Sequence, residues 1–139
     1  KLFDDSIEHF GEQGVEPSLI LLEKNNWKSV EIEVVKILES LNEESSDLLR
    51  KVTLLLPHSK DIQNLKLDDF KEINISSVSK FKGLEADIVI LVFPSLESVE
   101  KSYIQSSKAM LYIGLSRAKT NLYFICNKEV KDLAKWKVM

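Results

Sequence analysis

The stretch "SVSKFKGLEADIVIL", residues 77–91, decides how this chain is read. It passes from a Ser/Val segment through a Lys82-Gly83-Leu84-Glu85 turn into a run that is apolar at nearly every position. A strand with one wet face alternates, whereas a strand covered on both faces reads as continuous Val, Ile and Leu. "DIVILVF" (87–93) is of the second kind and predicts a central strand of a parallel sheet. Gly83 is one of only four glycines. A glycine at such a junction serves a tight turn, or lets the backbone come close to a ligand. A lysine beside it can meet a phosphate, and a glutamate can accept hydrogen bonds from sugar hydroxyls. On these four residues alone, the turn is the simpler reading.

Working outward, "EINISSV" (72–78) alternates like a strand with Ile73, Ile75 and Val78 inward. "KVTLLLP" (51–57) reads as a buried strand closed by Pro57, "SLILLE" (18–23) as a short strand, and "NLYFIC" (121–126) as the last strand. Residues 29–41 carry Val30, Val34, Ile37, Leu38 and Leu41 at helical spacing, with Ser29 as N-cap and Glu31 and Glu33 in the first turn. "SYIQSSKAMLYIGLSRA" (102–118) has the length and apolar density of a helix, and "KEVKDLAKWKVM" (128–139) reads as an amphipathic helix. Strands separated by helices predict an α/β domain around a mostly parallel sheet. Ligands of such sheets gather beyond the strand carboxyl ends.

A length of 139 residues points to a single domain, and 44% apolar with 29% charged residues is the balance of a globular protein. The net charge of −3 argues against a dedicated nucleic-acid module but leaves room for a local basic patch. Cys126 is the single cysteine, so a disulfide framework and a cysteine-based zinc site are excluded. A reducing, cytoplasmic setting is expected. The longest apolar runs fall far short of the roughly 20 residues of a membrane span. The chain opens "KLFDDS" without an initiator Met, and we expect a fragment of a longer protein.

A second segment carries chemistry: "LYIGLSRAK", residues 111–119. Gly114 within a helix costs about 1 kcal/mol relative to Ala, which suggests close approach there. Arg117 stands just before the next strand, where a cation also complements a helix dipole. Taken together and in order, "SVSKFKGLEADIVIL" and, about 25 residues later, "MLYIGLSRAKTNLYF" resemble motifs V and VI of superfamily 1 helicases of the UvrD/Rep-like group. The resemblance covers residues 72–126 and points to their C-terminal motor domain.

That resemblance implies a RecA-like (P-loop NTPase-like) α/β fold spanning residues 1–139, one of two motor domains that sandwich ATP. By carry-over, Glu85 contacts the nucleotide ribose, Gly83 lets the backbone close in, and Arg117 is the arginine finger on the γ-phosphate. Arginine suits that role because it stays charged and its planar fork pairs with phosphate oxygens. Ser77 falls on the family's DNA-side threonine, and Ser79 and Lys82 complete the expected nucleic-acid contacts. The implied cofactor is ATP with Mg²⁺, held mainly by an N-terminal RecA-like domain of the same parent chain. The implied partner is single-stranded DNA, with RNA open, and no membrane is involved.

The chain departs from the family in three ways. Ser79 stands where members commonly carry His. No G-x-x-x-x-G-K-[ST] loop occurs, so this chain alone is expected to be inactive as an ATPase. Only about 15 residues, "HSKDIQNLKLDDFKE", fill the place where Rep-like enzymes insert an accessory domain, so no such insertion is expected. His9 and His58 lack ligand-spaced partners, and Trp27 and Trp136 fit packing better than base stacking. Lys60 joins His58 at a strand end where a phosphate contact is conceivable, with a solvated loop the better reading. An alternative function keeps the fold without the work: a non-hydrolysing RecA-like scaffold or regulatory domain that binds a partner or nucleic acid. A free-standing nucleotide-binding α/β domain is a third reading, disfavoured by the missing glycine-rich loop.

Overall fold

The computed structural model describes residues 17–78, 80, 81, 84–94 and 117–131. Among the described residues, five strands form one sheet: β1 (Pro17–Leu21), β2 (Val52–Leu56), β3 (Asn74–Ser77), β4 (Ala86–Phe93) and β5 (Ala118–Cys126). Their spatial order is β1-β5-β4-β2-β3, and every pairing is parallel. The α/β architecture with a parallel sheet is as the strand pattern predicts.

The two central strands explain themselves by burial. In β4, Ile88, Ile90 and Val92 enter one apolar cluster while Val89, Leu91 and Phe93 enter the other. The same alternation divides Leu122, Phe124 and Cys126 of β5 from Ile125. A strand that feeds two cores has no position for a polar side chain, which is why its sequence is continuous rather than alternating. Each aliphatic side chain so buried contributes about 1.5–3 kcal/mol before entropy is subtracted.

Helix α1 (Trp27–Glu44) covers one face through Val30, Val34, Ile37, Leu38 and Leu41. Its cap is Asn26, not Ser29: the Asn26 backbone is extended, and its side-chain oxygen accepts from the Ser29 amide at 2.8 Å. Ser29 is already inside the first turn. Trp27 is half-buried against the same core. The acidic segment 42–47 is exposed, as a solvated helix end should be. A 3-10 helix (Ser46–Lys51) then delivers the chain into β2.

The connection from β2 to β3 lies on the α1 face, where Leu65, Leu67 and Ile73 are buried. It contains a 3-10 helix (Ser59–Asn64) closed by reciprocal bonds: the His58 amide donates to Asp61 Oδ2, and the Asp61 amide donates to the His58 carbonyl, both at 3.0 Å. The Lys66 amide donates to Glu31 Oε1 at 2.7 Å and ties this connection to α1. Ile75 is 41% exposed, contrary to its expected inward place, because β3 is an edge strand and only Ile73 and Val78 reach cores.

The final strand starts earlier than expected. β5 begins at Ala118, in residues that the helical pattern had claimed, and a helical turn at 128–131 follows it. Asn127 caps that turn by accepting from the Val130 amide at 2.8 Å. The rest of the expected helix 102–118, with Gly114, lies outside the described residues, as do His9, Trp136 and the end of the C-terminal tail.

Candidate nucleotide and nucleic-acid edges

Residues 78–85 connect β3 to β4, two parallel strands separated by β2. A parallel connection must return the chain from a carboxyl edge to an amino edge. Here it does so across the face opposite α1, anchored by Val78 and Phe81 in the second core. Ser77 pairs with Leu56 and Leu55 pairs with Leu91, which sets Ser77 level with Val92. Glu85 stands seven residues before that level, roughly 20 Å away along the strand axis at ~3.3 Å per residue. The segment that raised the question of a turn is therefore a crossover, with its two ends on opposite rims of the sheet.

At the carboxyl rim, the buried Ser77 organises the start of the crossover. Its hydroxyl oxygen accepts from the Lys80 amide at 3.2 Å, and its carbonyl accepts from the Phe81 amide and the Ser76 hydroxyl, each at 3.1 Å. Among the described residues, no acceptor takes the Ser77 hydroxyl proton. A cleft of about 210 Å³ opens beside it, lined by Leu56, Ser59, Ile62, Ser76, Ser77 and Lys80 among others. Lys80 and Ser59 were not singled out by motif reasoning, and only their place at this rim brings them forward. His58 is half-buried and Lys60 exposed on the loop beside them. Ser79 and Lys82 lie outside the described residues.

At the amino rim, Glu85 and Arg117 are neighbours. The Ala86 amide donates to the Arg117 carbonyl at 3.0 Å, so the residues preceding β4 and β5 face each other across one strand spacing, about 4.8 Å. Glu85 is exposed and Arg117 half-buried. The Arg117 Nε is buried without a hydrogen-bond partner. A buried cationic donor left unmade is costly, and it fits an anionic oxygen supplied from outside the domain. A phosphate is such an acceptor, so these residues suit a nucleotide; Gly83, the third expected contributor, lies outside the described residues. The general rule for parallel sheets points to the carboxyl rim, and it would have missed this pair.

Among the described residues, no group of three or more His, Cys, Asp or Glu is arranged to hold a metal ion. Cys126 is fully buried, and burial pushes its thiol up from near 9 to about 12, with Lys131 pulling the other way. No described helix is long and apolar enough to cross a membrane.

The family model of the UvrD-like helicase C-terminal domain matches residues 22–129. No curated protein matches the chain. Among solved structures, the crystal structure of the C-terminal domain of a possible DNA helicase from Lactobacillus plantarum WCFS1 superimposes with a TM-score of 0.68. It is 17% identical, over 96% of this chain and 89% of that one, and it bears on the fold alone.

Proposed function

Because the chain belongs to the family of UvrD-like helicase C-terminal domains, we propose that it is the C-terminal motor domain of an ATP-dependent superfamily 1 DNA helicase or translocase. The observation that carries this reading is the amino-rim pair. Glu85 and Arg117 come from motifs 32 residues apart in sequence and are joined through the Ala86–Arg117 backbone bond, with the Arg117 Nε buried and unpartnered.

ATP with its magnesium ion, held mainly by an N-terminal RecA-like domain of the parent chain, supplies the phosphoryl group when bound. This chain's part is to complete that site. Arg117 presents a permanent positive charge where negative charge develops, Glu85 accepts hydrogen bonds from the ribose hydroxyls, and Gly83 keeps the backbone clear of the sugar. At the opposite rim Ser77 takes a phosphate of single-stranded DNA, and Ser79 and Lys82, which follow it in sequence, add to that contact. The crossover joins the two rims by covalent chain and by Phe81 in the core, so a shift at the nucleotide edge is felt at the strand edge.

The test uses the longer protein that carries a P-loop domain. Arg117→Ala is expected to lower DNA-stimulated ATP hydrolysis by about 10³-fold or more while nucleotide binding persists, the scale of other arginine fingers. Hydrolysis unchanged by the substitution would refute the finger.

A further inference from the structure

We infer that Thr120 is a positioning residue for the Glu85–Arg117 pair, acting through an irregularity in the sheet; this rests on the nucleotide reading above. Between Ala86↔Ala118 and Ile88↔Asn121, β4 advances two residues while β5 advances three. One residue of β5 is therefore extra, opposite Asp87. Such bulges are uncommon between parallel strands, and where they occur they bend the strand and re-aim side chains. This one lies within the first three residues of both strands, immediately after Glu85 and Arg117.

The consequence shows in the packing. Ala86 and Val89 of β4 both pack with the crossover-side core although they are three apart, while Ile88 enters the α1-side core. The strand changes face at Asp87. The Asp87 carbonyl, opposite the extra residue, accepts from the Thr120 hydroxyl at 2.7 Å, a short bond from an exposed side chain. Thr120 is the extra segment's own fastener. It ties the bulge to β4, and beyond it the Ala86 amide donates to the Arg117 carbonyl at 3.0 Å.

Without the hydroxyl, the bulge loses a side-chain bond that fixes where the extra residue sits along β5. A slip of one residue exchanges the faces of every side chain on the shifted side. The strand beyond the bulge is locked by Leu122, Phe124 and Cys126 in the core, so the slip falls on Arg117 and Ala118. Thr120 thereby sets where the guanidinium stands relative to Glu85 without touching either ligand.

Two measurements test this. In the 139-residue chain, Thr120→Val keeps shape and β-branching but removes the donor. Exchange of the Ala86 amide is expected to accelerate about 10-fold, the weight of one hydrogen bond. The Val78 amide, bonded to the Leu56 carbonyl at the other rim, should be unaffected, and Thr120→Ser should restore Ala86. In the longer protein with its P-loop domain, Thr120→Val should lower kcat roughly 10-fold at nearly constant KM, because an interaction realised in the transition state is weakened. Thr120→Ser should recover it. Ala86 exchange at the wild-type rate, or faster in step with Val78, overturns the positioning role. A silent Thr120→Val beside a collapsed Arg117→Ala overturns it alone, whereas a silent Arg117→Ala overturns the nucleotide reading and this proposal together.

Discussion

Arg117 shows what a single residue can and cannot announce. Its type and its place ahead of a strand were legible as a finger candidate by motif resemblance. Its unpartnered Nε was not, because burial of one nitrogen depends on neighbours far away in sequence. The helix cap was misassigned for a related reason. Asn26 and Ser29 are both good capping residues three apart, and the backbone decides which of them is extended; Asn26 is. Asn26→Ala should therefore cost about 1 kcal/mol of stability by urea denaturation, while Ser29→Ala should be close to neutral. Equal losses would return the cap to Ser29. Cys126 is likewise a residue-scale prediction. With its pKa near 12, the thiol stays protonated and should resist alkylation in the native state while reacting on unfolding. The sign for stability follows: a folded-state pKa above the unfolded value favours folding below about pH 9, and the benefit fades as pH rises toward 12.

Elements were legible where one physical signal dominated. β4 and β2 are apolar at almost every position and could be little else. α1 has a clean helical period. β3 and β5 were harder because each is only partly covered. β3 sits at the sheet edge, where Ile75 remains exposed beside its partner β2. β5 opens with a half-buried Ala118 and the exposed Lys119, Thr120 and Asn121, which give no alternating apolar signal. The crossover 78–85 was legible only as a turn, since its length and direction come from sheet order, which no local pattern encodes. Two substitutions separate these cases. Phe81→Ala removes an aromatic anchor from the crossover core and should cost about 3 kcal/mol or more. Ile75→Ala, at the exposed edge, should fall within about 0.5 kcal/mol of wild type. Similar losses from both would show that the crossover is not packed as described.

At the scale of the molecule, the parallel sheet separates two chemistries by its own length. Ser77 ends β3 at one rim and Glu85 immediately precedes β4 at the other, so under the function proposed above the seven residues between them connect a strand-gripping edge to a nucleotide edge. On that proposal the domain acts as a lever whose two ends hold different ligands. The direct measurement is a pair of affinities in the longer protein: single-stranded DNA and ATP, for wild type, Ser77→Ala, Ser77→Thr and Glu85→Gln. The account predicts that Ser77→Ala weakens DNA binding several-fold, about the value of one charge-assisted hydrogen bond, with ATP affinity unchanged, and that Ser77→Thr restores it. Glu85→Gln should weaken ATP and leave DNA alone. Loss of both ligands from either substitution, or loss of neither, would contradict the two-edge arrangement.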